Sequence, residues 1–331
     1  MNNPRAVYGA LAALLCAISG TAFAAGTVEV DGSSTVYPIT EAVAEEFQNV
    51  GGGTRVTVGI SGTGGGFKRF CRGETDISDA SRPILKEEMI LCAQNGVKYI
   101  ELPVAMDALT VVVNKASDFV DYLTVAELKK MWEPAAQGKI TNWNQIRAGF
   151  PDLKLALSGA GADSGTFDYF TEAVVGKAKS SRGDYQASED DNVTVQFVSR
   201  NKGALGYFGL AYYEENQDKL KAVPIKATDA SPAVLPSIAT VNDGTYQPLA
   251  RPLFVYVSAK AMKRPEVKQF VEFYLDNASE LAKEVGYINL PADEYALAKK
   301  NFAEGKVGTA FGGVPEVGVR IADLLTREAK Q

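Results

Sequence analysis

The segment Gly32-Ser33-Ser34-Thr35 follows an extended apolar stretch and precedes a helical pattern, so small hydroxyls and backbone N–H groups stand at a helix start. Two further segments share this composition and position: Ser61-Gly62-Thr63-Gly64-Gly65-Gly66 and Asp163-Ser164-Gly165-Thr166. Backbone donors, a favourable helix dipole and the absence of bulky side chains suit a small oxyanion. Because Ser and Thr are also ordinary N-cap residues, one such turn alone would indicate only a capped helix. The recurrence of three turns predicts an oxyanion-binding site.

The amino-acid composition excludes several functional classes. No histidine occurs among the 331 residues, which excludes Ser-His-Asp and Cys-His nucleophile systems and His-ligated zinc sites. Aspartate and glutamate outnumber lysine and arginine by 40 to 34, so a surface for nucleic acid or for an anionic membrane is not expected. The 46% hydrophobic and 22% charged residues are typical of a globular protein, and the length favours two domains. Since the chain is acidic, local donors must bind the anion.

Residues 1–24 have the pattern of a secretory signal peptide. Arg5 supplies a positive charge, residues 7–18 are apolar, and Ala22-Phe23-Ala24 matches an A-x-A cleavage site. We therefore expect cleavage near Ala24/Ala25 and export of the mature chain.

The mature chain retains two cysteines, Cys71 and Cys92. In an oxidising compartment this pair is expected to form a disulfide, which would join the helix after the glycine-rich loop to the helix after Pro83. Two separate buried thiols are the alternative.

Strand and helix patterns alternate along the mature chain. Extended stretches are predicted at 27–31, 55–60, 99–105, 109–114, 155–158, 204–208 and 253–258, with helical patterns between them. This alternation predicts an α/β fold with mixed, mainly parallel sheets and with ligands at the carboxyl ends of strands. Apolar strands at 107–114 and 249–257 are expected to cross between two domains, one of residues 26–110 plus 253–331 and the other of residues 111–252.

The three turns, taken with further segments, resemble the phosphate-binding subunit of phosphate ABC importers. The resemblance extends over nearly the whole mature chain in the same order. It is carried by Gly32-Ser33-Ser34-Thr35-Val36-Tyr37-Pro38, Ser61-Gly62-Thr63-Gly64-Gly65-Gly66-Phe67-Lys68, Asp76-Ile77-Ser78-Asp79-Ala80-Ser81-Arg82-Pro83-Ile84, Asp163-Ser164-Gly165-Thr166-Phe167, Gly203-Ala204-Leu205-Gly206-Tyr207-Phe208 and Val285-Gly286-Tyr287.

The resemblance implies a type II periplasmic-binding-protein fold, in which two α/β domains are joined by a two-strand hinge and the oxyanion lies in the cleft. It also implies a monomeric periplasmic protein without a cofactor or metal, which binds inorganic phosphate and delivers it to an inner-membrane ABC permease.

Matching the family's binding positions one at a time suggests the ligand contacts. Thr35 and Val36 match the first loop, with Ser34 as an alternative. The second-loop hydroxyl falls on either Ser61 or Thr63. The contacts of the third turn are Ser164, Gly165 and Thr166.

Two positions depart from the enterobacterial pattern. Its pocket aspartate aligns with Ser81, and its pocket arginine aligns near Ala160, so Arg82 is the expected substitute cation. An acceptor for the proton of phosphate would favour phosphate over sulfate, which carries none. The candidate acceptors are Asp79, Asp107 and Asp163.

Other functions remain as alternatives to phosphate binding. Sulfate, molybdate or tungstate could be the oxyanion, and a secreted adhesion protein is a more distant alternative. An enzyme is not expected, because the chain has neither a histidine base nor a Gly-x-Ser-x-Gly elbow, and Lys68 has no evident nucleophile partner.

Overall fold

The computed structural model describes residues 26–50, 53–162, 164–316 and 318–330. The predicted signal peptide (1–24) and Asp163 lie outside the described residues. The strands are β1 (Thr27–Gly32), β2 (Arg55–Ile60), β3 (Ile77–Ala80), β4 (Tyr99–Asn114), β5 (Leu123–Thr124), β6 (Ala156–Gly159), β7 (Gln186–Ala187), β8 (Ala204–Gly209), β9 (Leu220–Ala222), β10 (Ile225–Lys226) and β11 (Ala250–Ser258).

Helices connect most of these strands, which confirms the predicted α/β class. The α-helices are α1 (Tyr37–Val50), α2 (Thr63–Phe70), α3 (Lys86–Gln94), α4 (Val125–Trp132), α5 (Gly165–Val175), α6 (Asp191–Arg200), α7 (Leu210–Glu214), α8 (Ile238–Asn242), α9 (Pro265–Glu284), α10 (Ala292–Ala303) and α11 (Ile321–Thr326). Short 3-10 helices occupy Pro134–Ala136, Trp143–Gln145 and Ala261–Lys263.

Nine of these strands form two groups that share β4, and β5 and β10 form a separate parallel pair. In the first strand group (β2, β1, β3, β11 and residues 99–108 of β4), β1 is parallel to β2 and β3, whereas β11 is antiparallel to β3 and β4. In the second strand group (residues 109–114 of β4 with β6, β7, β8 and β9), β4 is antiparallel to β8 and β9, and β6 is parallel to β7 and β8. The partner of β4 changes between Ala108, which pairs with Ala250, and Leu109, which pairs with Gly209.

The continuity of β4 corrects the sequence analysis, which predicts separate strands at 99–105 and 109–114. Asp107 interrupts the apolar pattern, yet it is buried within the strand because its carboxylate pairs with Arg251 on the neighbouring β11. The paired strand β11 begins at Ala250, earlier than the extended stretch predicted at 253–258 but in agreement with the crossing strand expected at 249–257. A charge that local sequence marks as a break is therefore accommodated by a cross-strand partner.

Helix packing fixes the position of the first turn. Ile39, Val43 and Phe47 recur at four-residue intervals, so they share one buried face of α1. The ring of Phe47 lies 5.4 Å from that of Phe270 in α9, centroid to centroid. This packing holds the start of α1 at the carboxyl end of β1.

Aromatic packing holds α5 against the second strand group. The ring of Phe170 in α5 stacks on that of Tyr207 in β8 with centroids 3.7 Å apart. Trp132 of α4 contacts both rings edge-on, at 5.3 and 5.0 Å. The start of α5, where the third turn lies, is thereby held against the sheet.

The predicted disulfide is confirmed. Cys71, at the end of α2, is bonded to Cys92 in α3, and both residues are buried. Within the described part of the chain, no helix has both the length and the apolar character that crossing a bilayer requires.

Candidate oxyanion-binding site

The first turn joins β1 to α1. Ser33 Oγ accepts from Thr35 N at 3.2 Å and Ser33 O accepts from Tyr37 N at 3.0 Å, so Ser33 caps the helix start. Gly32 has a φ of +151°, and a Cβ at this position would collide with the carbonyl oxygen of Asp79. Glycine is therefore required for the turn to approach β3.

The three ligand positions predicted on this turn lie at the N-terminal end of α1. Thr35 and Val36 are buried, and Ser34 is partly exposed. The positive end of the helix dipole and the N–H groups of the first helical turn therefore point toward this end.

The second turn places Thr63, not Ser61, against the end of β3. Thr63 Oγ1 lies 3.1 Å from Ser81 Oγ and accepts a hydrogen bond from Ser81 N at 3.2 Å. Ser61 is exposed, and a Cβ at Gly65 would lie 2.9 Å from its Oγ. Thr63 is thus the hydroxyl that the fold brings to Ser81.

Close backbone packing joins the second turn to the first. A Cβ at Gly66 would lie 2.5 Å from Gly32 Cα, so only glycine permits α2 to cross the end of β1 at this distance. The N-terminal ends of α1 and α2 are consequently neighbours.

The third turn follows β6 and opens α5. Ser164 is the N-cap residue, and its Oγ accepts from Thr166 N at 3.1 Å. A Cβ at Gly165 would lie only 3.0 Å from Thr35 Oγ1. The third turn, carried by the second strand group, therefore faces the first turn across a very short distance.

Arg251 of β11 joins these facing turns and was not found by the sequence analysis. Its Nη2 donates to Thr35 Oγ1 at 3.2 Å, and its Nε donates to Asp107 Oδ2 at the same distance. Its guanidinium carbon lies 3.7 Å from the ring centroid of Tyr169 in α5. The third nitrogen, Nη1, is 3.8 Å from a carboxylate oxygen of Glu172.

The pairing of Arg251 with Asp107 takes place away from water. The two side chains are 14% and 6% exposed, respectively. Burial raises the pKa of Asp107 above its ordinary value, while the charge and hydrogen bond of Arg251 oppose the rise. The one available sequence signal was a charged residue in each of two apolar strands, at 107 and 251.

Tyr287, from the Val285-Gly286-Tyr287 segment, is influenced by the charges of Asp107 and Arg251. Burial raises the pKa of its hydroxyl, the charge of Asp107 adds to the rise, and Arg251 opposes it. The next residue, Ile288, exchanges backbone hydrogen bonds with Met106 of β4, so this segment lies beside Asp107.

Arg82, the cation expected from the sequence, already has a carboxylate partner. Its two terminal nitrogens donate to Glu88 at 2.8 and 2.9 Å, and Nη1 also donates to Pro83 O at 3.0 Å. The charge lies close to the second turn, since a Cβ at Gly64 would be 3.6 Å from Arg82 Nη2. An anion at this arginine would have to compete with Glu88.

Asp79 lies in the core of the first strand group. Its side chain is fully buried, and neither carboxylate oxygen has a hydrogen-bond partner at ordinary distance among the residues that the structure describes. Burial raises its pKa to about 7, the nearby Thr40 hydroxyl opposes the rise, and Asp31 adds to it. Of the two described candidate acceptors, Asp107 is the one paired with the arginine that contacts the first turn.

Together, these features define a binding protein with an α/β fold and facing helix N-termini. A family profile described as a PBP superfamily domain matches residues 17–278, and the chain belongs to this family. The family resemblance inferred from the motifs is thereby confirmed.

Individual relatives are similar over most of the chain. Protein SphX from Synechococcus elongatus is 55% identical over 301 residues, which are 91% of this chain and 88% of that protein. Phosphate-binding protein PstS from Staphylococcus saprophyticus is 40% identical over 273 residues, 82% of each chain. The crystal structure of a possible phosphate binding protein from Planctomyces limnophilus has a TM-score of 0.81 and 48% identity, covering 85% of this chain and 98% of that one.

Proposed function

We propose that this chain binds inorganic phosphate between its two strand groups and delivers it to the membrane permease of an ABC importer. Two similar proteins carry phosphate binding in their names. The observation that carries the proposal is the junction of Thr35, Gly165 and Arg251, where two helix starts and one buried guanidinium meet. Binding rather than catalysis follows, because N–H donors and hydroxyls hold an anion without a general base.

Donors from both strand groups surround the anion in this proposal. The first strand group supplies the amides and hydroxyls at Ser34, Thr35, Val36, Thr63 and Ser81, and the second supplies those at Ser164, Gly165 and Thr166. Arg251 compensates the negative charge, and Asp107 orients Arg251 and accepts the proton of phosphate. Arg82 contributes a weaker field because Glu88 neutralises it.

The two strand groups act as two domains that close on the ligand. We place the domains at 26–110 plus 253–331 and at 111–252, with β4 and β11 as the hinge strands. The change of partner within β4, between Ala108 and Leu109, supports this division. An anion that touches both walls stabilises the closed form, because only that form offers both sets of donors. Docking on the permease would reopen the cleft.

Export places the protein outside the cytoplasm in this proposal. The A-x-A pattern at Ala22-Phe23-Ala24 and the disulfide between Cys71 and Cys92 support a periplasmic location.

Calorimetric titration of the mature chain with phosphate, sulfate and molybdate tests the proposal. Phosphate should bind one to one, and sulfate should bind at least about tenfold more weakly, because an unpaired carboxylate facing it costs 1–3 kcal/mol. Equal or tighter binding of sulfate or molybdate would assign the site to that anion. Restoration of phosphate uptake in a strain lacking its own binding protein would separate transport from adhesion.

A further inference from the structure

A cavity of about 240 Å³ opens beside Arg251, partly exposed to solvent. Its wall includes Ser81 and Arg82 at the end of β3, Arg251 of β11 and Tyr169 of α5. Arg251 thus faces both the junction with Thr35 and this cavity. Arg251 is the residue that the junction and the cavity share, whereas Thr35 and Gly165 do not line the cavity.

Most of the remaining wall is apolar, which inorganic phosphate cannot use. The apolar lining residues include Pro83, Met106, Pro248, Pro252, Phe311 and Val319. A protein cavity of about 150 Å³ is already large enough to bind benzene. The space beside Arg251 therefore accommodates a phenyl group or a short alkyl chain.

The charged residues of the wall are already paired, so the cavity does not suit a second anionic group. Arg82 is bonded to Glu88, Glu172 lies 3.8 Å from Arg251, and Glu316 lies 2.9 Å from Arg327. A polyanion would find no unpaired cation in the described part of this wall. A neutral apolar substituent would instead be transferred out of water against proline, methionine and phenylalanine side chains.

We propose that the site also accepts monosubstituted phosphonates and phosphate monoesters whose substituent is small and apolar. The inference rests on the proposed phosphate site: the anionic head occupies the junction of Thr35, Gly165 and Arg251, and the substituent extends into the cavity. The chain is then a receptor for inorganic phosphate and for its simple organic derivatives.

Titration calorimetry with phosphate and with methyl-, propyl- and phenylphosphonate tests this inference. Phosphonates are the sharper probes because their C–P bond does not hydrolyse to release phosphate. Affinity should rise along the phosphonate series, by about tenfold from methyl to phenyl, as more apolar surface is buried. Phosphate binding with no phosphonate binding, or with affinity that falls along the series, would overturn this inference and leave the proposed function intact. Absence of phosphate binding would overturn both.

A variant that fills the cavity tests where the substituent lies. Val319→Trp, with the smaller Val319→Phe in case tryptophan prevents folding, should weaken phenylphosphonate by about tenfold and leave phosphate within about twofold. Val314→Trp is the control, because Val314 is 63% exposed in the same segment and is not part of the cavity wall. Unchanged phenylphosphonate affinity in a folded Val319 variant would contradict the placement of the substituent.

Discussion

Arg251 donates a hydrogen bond from Nη2 to Thr35 Oγ1 across 3.2 Å, and this contact ties β11 to the turn that opens α1. The same guanidinium pairs with Asp107 of β4 and stacks on Tyr169 of α5. This side chain of hinge strand β11 therefore touches the other hinge strand, β4, and the helix that faces them. Its removal should disturb ligand binding more than any other single change of charge.

Arg251→Ala should weaken phosphate binding by more than about 30-fold, since losing one partner of a buried charge pair costs 2–5 kcal/mol or more. Arg82→Ala should cost less, because Glu88 already neutralises that arginine. Titration of both variants at one pH and one salt concentration compares them. A larger loss of phosphate affinity in Arg82→Ala than in Arg251→Ala would show that Arg82 is the main cation of the site.

The control for Arg251 addresses folding. Arg251→Ala leaves the carboxylate of Asp107 buried without its partner, which would destabilise the chain. The double variant Arg251→Gln/Asp107→Asn removes both charges, so its melting temperature should exceed that of Arg251→Ala while phosphate affinity stays low. Recovery of affinity along with stability would indicate that Arg251 acts only on the fold.

Gly165→Ala tests the contact between the two facing turns. The new Cβ would lie 3.0 Å from Thr35 Oγ1, which is tighter than ordinary packing, so closure should be hindered. We expect phosphate affinity to fall by about tenfold and ligand-induced compaction, measured by small-angle scattering, to decrease. Gly149→Ala is the control, since a Cβ there meets no atom within 4 Å. Equal phosphate affinity in the two variants would mean that the first and third turns are not in contact in the bound state.

The second-loop hydroxyl can be assigned by comparing Thr63→Val with Ser61→Ala. Thr63 Oγ1 contacts Ser81, whereas Ser61 is exposed. Loss of the Thr63 hydroxyl should reduce phosphate affinity by about tenfold, because it removes one hydrogen bond to a charged group. The affinity of Ser61→Ala should stay within about twofold of the wild-type value. Thr63→Ser, which keeps the hydroxyl, should retain binding. The opposite order would identify Ser61 as the contact.

Asp79 should make the stability of the chain depend on pH. Burial raises its pKa to about 7, from an ordinary value of 3.8. The folded state then binds more protons than the unfolded state between about pH 4 and pH 7, so the free energy of unfolding falls as the pH rises through this interval. Asp79→Asn should therefore stabilise the chain at pH 8, by up to about 4 kcal/mol, and have little effect near pH 4.

Urea unfolding of Asp79→Asn and wild type at both pH values measures this dependence. Asp229→Asn is the control for the substitution itself, because Asp229 is exposed. A constant difference between Asp79→Asn and wild type would mean that Asp79 is ionised in the folded state throughout.

Replacement of both cysteines, Cys71→Ala with Cys92→Ala, should lower the free energy of unfolding by about 3 kcal/mol, because the bond closes a loop of 21 residues. Phosphate affinity should stay within about twofold, since the bond lies at the end of α2 away from its first turn. Urea unfolding and titration of the same sample test both statements. Unaltered stability would mean that the bond does not restrict the unfolded chain.

Local patterns made the three turns predictable from the sequence. Small hydroxyl residues and glycines before a helical pattern of apolar residues indicate a helix start. The turns at Thr35, Thr63 and Gly165 were therefore predicted from the sequence. The disulfide followed from the presence of only two cysteines in the mature chain. The α/β class followed from the alternation of strand and helix patterns, which depends on neighbouring residues alone.

The sequence by itself determined these turns, the class of fold and the cysteine pair, and the tertiary structure decided which charges meet. Arg251 stands 144 residues from Asp107 and 216 residues from Thr35, and the antiparallel register of β4 and β11 places it directly opposite Asp107. The tertiary structure also pairs Arg82 with Glu88 and joins residues 99–114 into one strand. Local pattern cannot encode such pairs, because the partner that stabilises a buried charge is chosen by strand register and not by neighbours in sequence.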